Sequence, residues 1–405
     1  MKPVSRNAED LRGLGRLAVE GVTGVTDVVE AMHAAITHLP ALVGKSAPAR
    51  TRGLAGWIYQ AVRGTTRTVG TGVDRTLAAL APLLGQADAS FQQRHAIAAA
   101  LNGVIGDHLE ASENPLAIAM RFRRHGQALE PTRRALRTEL PDATGKLLVL
   151  VHGLCMNDLQ WNYSSHDHGQ SLQRDLGYTP VYLHYNTGRH ISRNGRDLAK
   201  LLQRLARAWP VPLQEITFLC HSMGGLVARR ALDEAFGARH AWTKLPVRIV
   251  FLGTPHHGAP LERAGSWVDM LIGISPYSAP LVRLGKLRSA GIQDLRHGNV
   301  RDVDWQEGDG AGTEGRTPVP LPGAVAAYVV AASTQARRTG SRNGAARGDG
   351  LVPISSALGA HADEAFDLGI PRQRQSIVHG INHLDLLGAP AVYSQLLRWL
   401  RQLPR

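Results

Sequence analysis

The segment from Phe218 to Val227, with the sequence FLCHSMGGLV, limits the possible folds of this chain more than any other. An apolar run leads into a short polar turn, and helix-forming residues follow as far as Ala235. This order predicts a buried strand, a sharp turn with Ser222 at its apex, and a helix, which together form a nucleophile elbow. In such a turn the serine hydroxyl stands clear of the sheet. The alternative is that Ser222 only caps the helix.

Close packing at this turn requires small residues two positions before and after the serine. Gly224 fills one of these positions, and Cys220 stands where glycine is usual. Cysteine is small and tolerates burial, so we expect Cys220 to be held by packing beneath the turn. The chain has one other cysteine, Cys155, and two cysteines make no disulfide framework. We expect both thiols to be reduced and to lie near each other.

The composition excludes several classes of protein. The 405 residues are 43% hydrophobic and carry a net charge of +13. A basic chain can bind nucleic acid or anionic lipid, but the arginines are spread along the sequence and no nucleic-acid-binding motif is present. We therefore expect no nucleic-acid partner. The chain starts without the apolar segment of a secretory signal and has no run of 18 apolar residues, so the expected location is the cytoplasm.

Hydrophobic periodicity predicts two regions. In residues 1–113 apolar side chains recur at helical spacing, which predicts a helical N-terminal region that either covers the catalytic domain or lies on a lipid or polymer surface. In residues 114–405 apolar strands alternate with helices, which predicts an α/β domain with a mostly parallel sheet flanked by helices. The stretch from about 258 to 322 is too long for an ordinary connection and predicts a helical lid insertion. Short strands are predicted at 128–130 and 135–137.

An acid and a base follow the serine in the chain. Serine becomes a nucleophile when a histidine takes its proton, and a carboxylate orients that histidine. Asp349, which lies between two glycines, and His383 follow the last two predicted strands, and the carboxyl ends of parallel strands meet in one crevice. The order serine, acid, histidine is the one expected for such a sheet. Asp309, also between glycines, is the alternative acid, and His379 is the alternative base.

Two backbone N–H groups are candidates for an oxyanion hole. One belongs to Met223, directly after the serine, and the other to Leu154, in the loop after the predicted strand 147–151. His152 in the same loop is assigned a structural role. The adjacent His256 and His257 suggest a metal pair, but neighbouring histidines point in different directions and no third ligand is spaced with them, so no metal site is expected.

Five short motifs together resemble the α/β-hydrolase superfamily, and more narrowly its lipase-like, GPI-inositol-deacylase-like esterase branch. The resemblance covers about residues 140–402. It implies hydrolysis of a carboxylic ester through a Ser-His-Asp triad and an acyl-enzyme, with no cofactor and with an ester substrate that carries an apolar acyl chain. The other hypothesis is a non-catalytic binding or scaffold protein on the same fold. The motifs are HGL at 152–154, CHSMGG at 220–225, GTPHHG at 253–258, GDGLVP at 348–353 and NH at 382–383.

Overall fold

The computed structural model describes residues 91–258, 270, 289–306, 316–336 and 348–402. Of these, residues 91–118, 270 and 289 belong to one compact unit, and the remainder belong to a second. The helices predicted before residue 91, the middle of the predicted lid and the alternative acid Asp309 lie outside the described residues.

The first unit contains helix α1, Phe91–Ala111, where the apolar spacing predicts a helix. The helix is kinked at Ile105, whose φ is −136°. Asn102 is fully buried, and its side-chain amide donates to the carbonyl oxygen of Leu116 at 2.7 Å, while its Oδ1 accepts from the N–H of Ile118 at 2.9 Å. This one side chain therefore ties α1 to the segment that follows it.

The second unit is built on one sheet, in which the described residues contribute eight strands in the order β2-β1-β4-β3-β5-β6-β7-β8. Strand β1 is antiparallel to both of its neighbours, and all pairings from β4 to β8 are parallel. This confirms the mostly parallel sheet of an α/β-hydrolase fold. The strands are β1 Arg121–Arg124, β2 Gln127–Ala128, β3 Lys146–Val151, β4 Thr179–His184, β5 Glu215–His221, β6 Val247–Leu252, β7 Val325–Ser333 and β8 Gln375–His379.

Helices flank this sheet on both faces. On one face Leu148 and Leu150 of β3 share a core cluster with residues of the helices 168–176 and 390–400. Leu147 and Val149, which alternate with them, are also fully buried, so the other face is covered too. The α-helices are α2 Arg133–Glu139, α3 His168–Leu176, α4 Ile191–Ala208, α5 Met223–Gly237, α6 Ala290–His297, α7 Val303–Gln306, α8 Ile354–Leu358 and α9 Pro390–Leu400, and short 3₁₀ helices span Asp158–Trp161, Ala241–Lys244, Arg372–Arg374 and Asp385–Leu387.

The predicted strand at 135–137 is wrong, because these residues lie in helix α2. Thr132 caps this helix by accepting a hydrogen bond from the N–H of Ala135 at 3.3 Å. Only Leu136 of the helix is buried, so the apolar pair Ala135-Leu136 is too short a pattern to distinguish a strand from a single helical face. Across the described ranges, no helix has the length and apolar character needed to cross a membrane.

Candidate active site

Ser222 lies at the apex of the predicted turn. Strand β5 ends at His221, helix α5 begins at Met223, and the backbone of Ser222 between them has φ 53° and ψ −128°. A positive φ in a residue other than glycine costs on the order of 1–3 kcal/mol, and such strain concentrates at functional sites. The Ser222 side chain makes no capping hydrogen bond to α5. A capping role therefore does not account for serine at this position.

The backbone around Ser222 is packed closely. The N–H of Ser222 donates to the carbonyl oxygen of Leu252 at 2.9 Å, which joins the turn to the end of β6. A Cβ added at Gly224 would collide with the carbonyl oxygen of Val151, and one added at Gly153 would lie 2.9 Å from the Cβ of Ser222. Only glycine fits at these two positions, so the end of β3 and the loop after it lie against the elbow.

Both cysteines are free and buried. Cys220 is fully buried in β5, in register with Val151 of β3 and Phe251 of β6, so it occupies the centre of the sheet directly before the turn. Cys155 follows β3, and burial raises the pKa of its thiol to about 12. Strand β3, which precedes Cys155, pairs directly with strand β5, which carries Cys220. The distance between the two sulfurs stays a prediction.

Asp349 and His383 form a buried hydrogen-bonded pair. The Nδ1 of His383 lies 2.7 Å from Oδ2 of Asp349, and both residues are 2% exposed. The other carboxylate oxygen accepts backbone N–H bonds from Leu351 at 3.0 Å and Val352 at 2.8 Å. The alternative base His379 is the last residue of β8, and none of these carboxylate bonds involves it. The structure thus joins the acid and the base favoured by the sequence.

The charge of Asp349 sets the tautomer of His383. Burial raises the pKa of the Asp349 carboxyl, but His383 and the two backbone N–H groups lower it by more, so the pKa lies below its usual value. The carboxylate is therefore ionised at neutral pH and accepts a hydrogen bond from Nδ1–H of His383. In the neutral form of the ring, this tautomer has its lone pair on Nε2. This Nε2 is buried and has no hydrogen-bond partner among the described residues.

Ser222, His383 and Asp349 meet around Gly253. Ser222 is hydrogen-bonded to Leu252, and Gly253 is the next residue, with φ 59°. A Cβ added at Gly253 would lie 3.1 Å from Cε1 of His383 and 3.1 Å from Oδ2 of Asp349. Gly253, the residue after the one that accepts the Ser222 N–H bond, therefore lies against both the imidazole of His383 and the carboxylate of Asp349.

His221 connects the elbow to the histidine loop, a contact that the sequence analysis did not predict. Its Nε2 donates to the carbonyl oxygen of His383 at 3.1 Å, and the two ring centroids are 4.7 Å apart. Burial lowers the pKa of His221 to about 3, so the ring is neutral at physiological pH. The only sequence signal is its position directly before the serine.

The loop after β3 is held by its own histidine, as predicted. The Nδ1 of His152 donates to the carbonyl oxygen of Gly153 at 3.0 Å, the ring stacks on Tyr185, and the Tyr185 hydroxyl donates to the carbonyl oxygen of His152 at 2.8 Å. Leu154 in this loop is buried. Met223 opens α5, where the N–H groups of the first turn have no partner within the helix.

A buried ionic cluster next to this loop is a second feature missed by the sequence analysis. The carboxylate Oδ1 of Asp158 lies 3.2 Å from the Arg123 guanidinium and 3.0 Å from Nδ1 of His184. Burial raises the pKa of Asp158, but His184 and Arg123 lower it by more, so the carboxylate is ionised. Breaking a buried pair by removing one partner costs about 3–5 kcal/mol, so the cluster fixes the segment that follows the loop.

The buried histidines make folding stability depend on pH. Burial lowers the pKa of His152 and His221 to about 3 and that of His168 to about 4, whereas an unfolded histidine titrates near 6.5. Below pH 6.5 the unfolded chain binds more protons, so each group destabilises the fold as the pH falls, by at most about 1.4 kcal/mol per pH unit. The paired carboxylates of Asp158 and Asp349 affect the folding stability only at lower pH, near the ordinary pKa of an aspartate and below it.

We expect the free energy of unfolding, measured by urea titration, to fall as the pH drops from about 6.5 to about 4.5. His168→Gln should reduce the slope by about 1.4 kcal/mol per pH unit, because it removes one of the groups. His379→Gln is the matched control, since this histidine is only half-buried at the end of β8. Equal slopes for the protein and for His168→Gln would contradict the assignment of a neutral buried His168.

Comparisons with known proteins found one family model and several solved structures that are similar to this chain. The family model described as domain of unknown function DUF7379 matches residues 116–283. A lipase B from Aspergillus fumigatus matches at 12% identity and a TM-score of 0.39, covering 97% of this chain and 85% of the lipase. Esterases from Pyrococcus furiosus (13% identity, TM-score 0.38, covering 64% and 82%) and Thermogutta terrifontis (16%, 0.38, 65% and 92%) also match. No curated protein matches.

Proposed function

We propose that this protein is a serine hydrolase that cleaves carboxylic esters, with Ser222 as nucleophile, His383 as general base and Asp349 as the orienting acid. The observation that carries the proposal is the 2.7 Å hydrogen bond between Asp349 and Nδ1 of His383. The other ring nitrogen, Nε2, is buried and has no partner in the described part of the chain, and the serine turn is strained. A scaffold protein has no need to keep a strained serine, an ionised carboxylate and an unpaired imidazole nitrogen together.

The proposed reaction follows from this arrangement. The Oγ of Ser222 attacks the ester carbonyl carbon while its proton passes to Nε2 of His383, and the Asp349 carboxylate stabilises the imidazolium that forms. The oxyanion of the tetrahedral intermediate accepts hydrogen bonds from the N–H groups of Met223 and Leu154. His383 then gives its proton to the departing alcohol, which leaves an acyl-enzyme. A water molecule deprotonated by His383 releases the carboxylic acid and restores Ser222.

The substrate in this proposal is an ester with an apolar acyl chain, and the reaction draws on no cofactor. The narrower likeness to the lipase-like, GPI-inositol-deacylase-like branch belongs to the same proposal, as do the cytoplasmic location and the attachment of residues 1–113 to a lipid or polymer surface. None of these is needed for the acyl transfer itself, so each can fail while the proposed chemistry holds.

A series of p-nitrophenyl esters from acetate to palmitate tests the proposal. We expect turnover well above that of the heat-denatured protein, and we expect kcat/KM to rise with acyl length because a longer chain places more apolar area in the site. If kcat/KM is highest for a short acyl chain, the proposed substrate class changes and the proposed hydrolase activity is retained. No turnover with any member would contradict the proposal and favour the scaffold hypothesis.

A further inference from the structure

A small cavity in the second unit has no place in the proposed reaction. It lies between helix α5, the segment that follows β6, and residues 316–319, and it has room for about one water-sized group with an opening to solvent. Among the described residues that line it there is no aspartate or glutamate. The charged and polar side chains in its wall are those of Arg229, His256, His257, Arg316 and Thr317.

Arg229 contributes a buried positive charge to this cavity. It is 6% exposed, and its guanidinium donates to the carbonyl oxygen of Val319 at 2.6 Å and to Nδ1 of His256 at 3.3 Å. Its Nε is buried with no hydrogen-bond partner among the described residues. Burial and then the charge of Arg316 lower the pKa of Arg229 to about 10, so the group remains charged at neutral pH.

His256 presents a second unpaired donor. A guanidinium can only donate hydrogen bonds, so Nδ1 of His256 is the acceptor in its contact with Arg229. Burial, followed by the charges of Arg229 and His257, holds the pKa of His256 well below its usual value, so the ring is neutral. A neutral ring with an unprotonated Nδ1 carries its proton on Nε2. That atom is buried and without a partner in the described part of the chain, and the residue is only 2% exposed.

Arg316 supplies the other positive charge. Its guanidinium carbon lies 4.9 Å from the centre of the Phe366 ring, and its Nε is buried without a partner within the described ranges. The cavity wall thus combines two guanidinium groups with three unpaired N–H donors, from Arg229, His256 and Arg316. Buried donors and charges without a partner are costly. From outside the cavity wall the carboxylate of Asp233 acts on Arg229 and that of Asp304 acts on Arg316. An anion in the cavity would accept the remaining hydrogen bonds and add to this charge compensation, whereas a water molecule would only accept hydrogen bonds.

We propose that this cavity is an anion-binding site, separate from the proposed catalytic centre, in which Arg229, Arg316 and His256 bind one small inorganic anion. Among inorganic anions, a monatomic halide such as chloride needs the least space beyond that of the one water-sized group that the cavity holds. A phosphate ion would have to reach the donors with a single oxygen from the opening. The inference does not depend on the proposed hydrolase, because neither Ser222 nor His383 takes part in it.

Thermal unfolding of the full chain tests the site. At constant ionic strength, sodium gluconate, whose anion is too large for the cavity, is replaced stepwise by sodium chloride or by sodium phosphate. We expect Tm to rise and saturate, because an anion that binds only the folded state stabilises it according to its concentration and Kd. If the rise in Tm saturates at a lower concentration of chloride than of phosphate, the site binds a halide. If it saturates at a lower concentration of phosphate, the site binds an oxyanion, and either outcome supports an anion site.

Arg316→Gln is the informative variant, because this arginine is partly exposed and its loss should not prevent folding. We expect the apparent Kd for the anion to rise at least tenfold. Arg372→Gln, which removes the same charge from an exposed site outside the cavity, should leave it unchanged. In Arg229→Gln, if that variant folds, the saturable rise of Tm with the anion should be abolished. A Tm that does not saturate with either salt, or an unchanged Kd in Arg316→Gln, would overturn the proposal.

Discussion

We expect replacement of Ser222 by alanine to abolish the proposed ester hydrolysis and to leave the fold intact. The change removes only the Oγ atom, which makes no capping bond to helix α5, so the free energy of unfolding should change by less than about 1 kcal/mol. Without the nucleophile no acyl-enzyme forms, and kcat should fall by about four to six orders of magnitude. The measurements are kcat/KM for a p-nitrophenyl ester and the urea unfolding curve of each protein.

Ser165→Ala is the matched control for this substitution. Ser165 also has a positive φ, 61°, but it lies on an exposed loop outside the proposed site. Its replacement removes the same atom at a position with a similar φ and should leave kcat/KM within a factor of about two, as surface substitutions usually do. If Ser222→Ala hydrolyses the ester as fast as Ser165→Ala does, Ser222 is not the nucleophile.

Replacement of His383 by alanine removes the proposed base and should lower kcat by a similar four to six orders of magnitude. The stability cost is also expected to be larger than for Ser222→Ala, because Asp349 is left buried with an unpaired oxygen. His379→Ala should retain full activity, because the carboxylate of Asp349 makes no bond to that residue. An inactive His379→Ala together with an active His383→Ala would show that the base has been assigned to the wrong histidine.

The companion substitution Asp349→Asn tests the role of the acid by changing the tautomer of His383. An asparagine amide turned toward Nδ1 donates to it, which places the imidazole proton on Nε2 and leaves the ring unable to accept the serine proton. We expect kcat to fall by about four orders of magnitude while substrate binding is retained. Asp309→Ala should be fully active. The opposite pattern, with an active Asp349→Asn and an inactive Asp309→Ala, would move the acid to Asp309.

The sequence was sufficient for the parallel strands of the sheet and for the pairing of Asp349 with His383. Each buried strand is a short apolar run that ends in a polar turn. Because such a strand is buried on both faces, its residues are nearly all apolar and do not alternate with polar ones, so the run is easy to recognise in the sequence. Parallel strands bring their carboxyl ends to one edge, so residues that follow different strands meet although they are far apart in the chain. This is why Ser222, Asp349 and His383 could be selected together before any distance was known.

Contacts that depend on side-chain direction could not be predicted in this way. The bond from His221 to the His383 carbonyl joins residues that carry no shared pattern, and the same is true of Asp158 with Arg123 and His184. The cavity is not predictable for a related reason: in the sequence the adjacent His256 and His257 suggest only a metal pair. The arginines that accompany them come from α5 and from residue 316, which no local spacing connects.

Covalent labelling with a fluorophosphonate, followed by peptide mass spectrometry, tests the central claim most directly. The probe reacts with a serine only when a neighbouring base activates it. We predict a single phosphonyl adduct per chain, on Ser222, formed more slowly in His383→Ala and absent from Ser222→Ala. An adduct on a different residue, or undiminished labelling of Ser222→Ala, would contradict the assignment of Ser222 as an activated nucleophile.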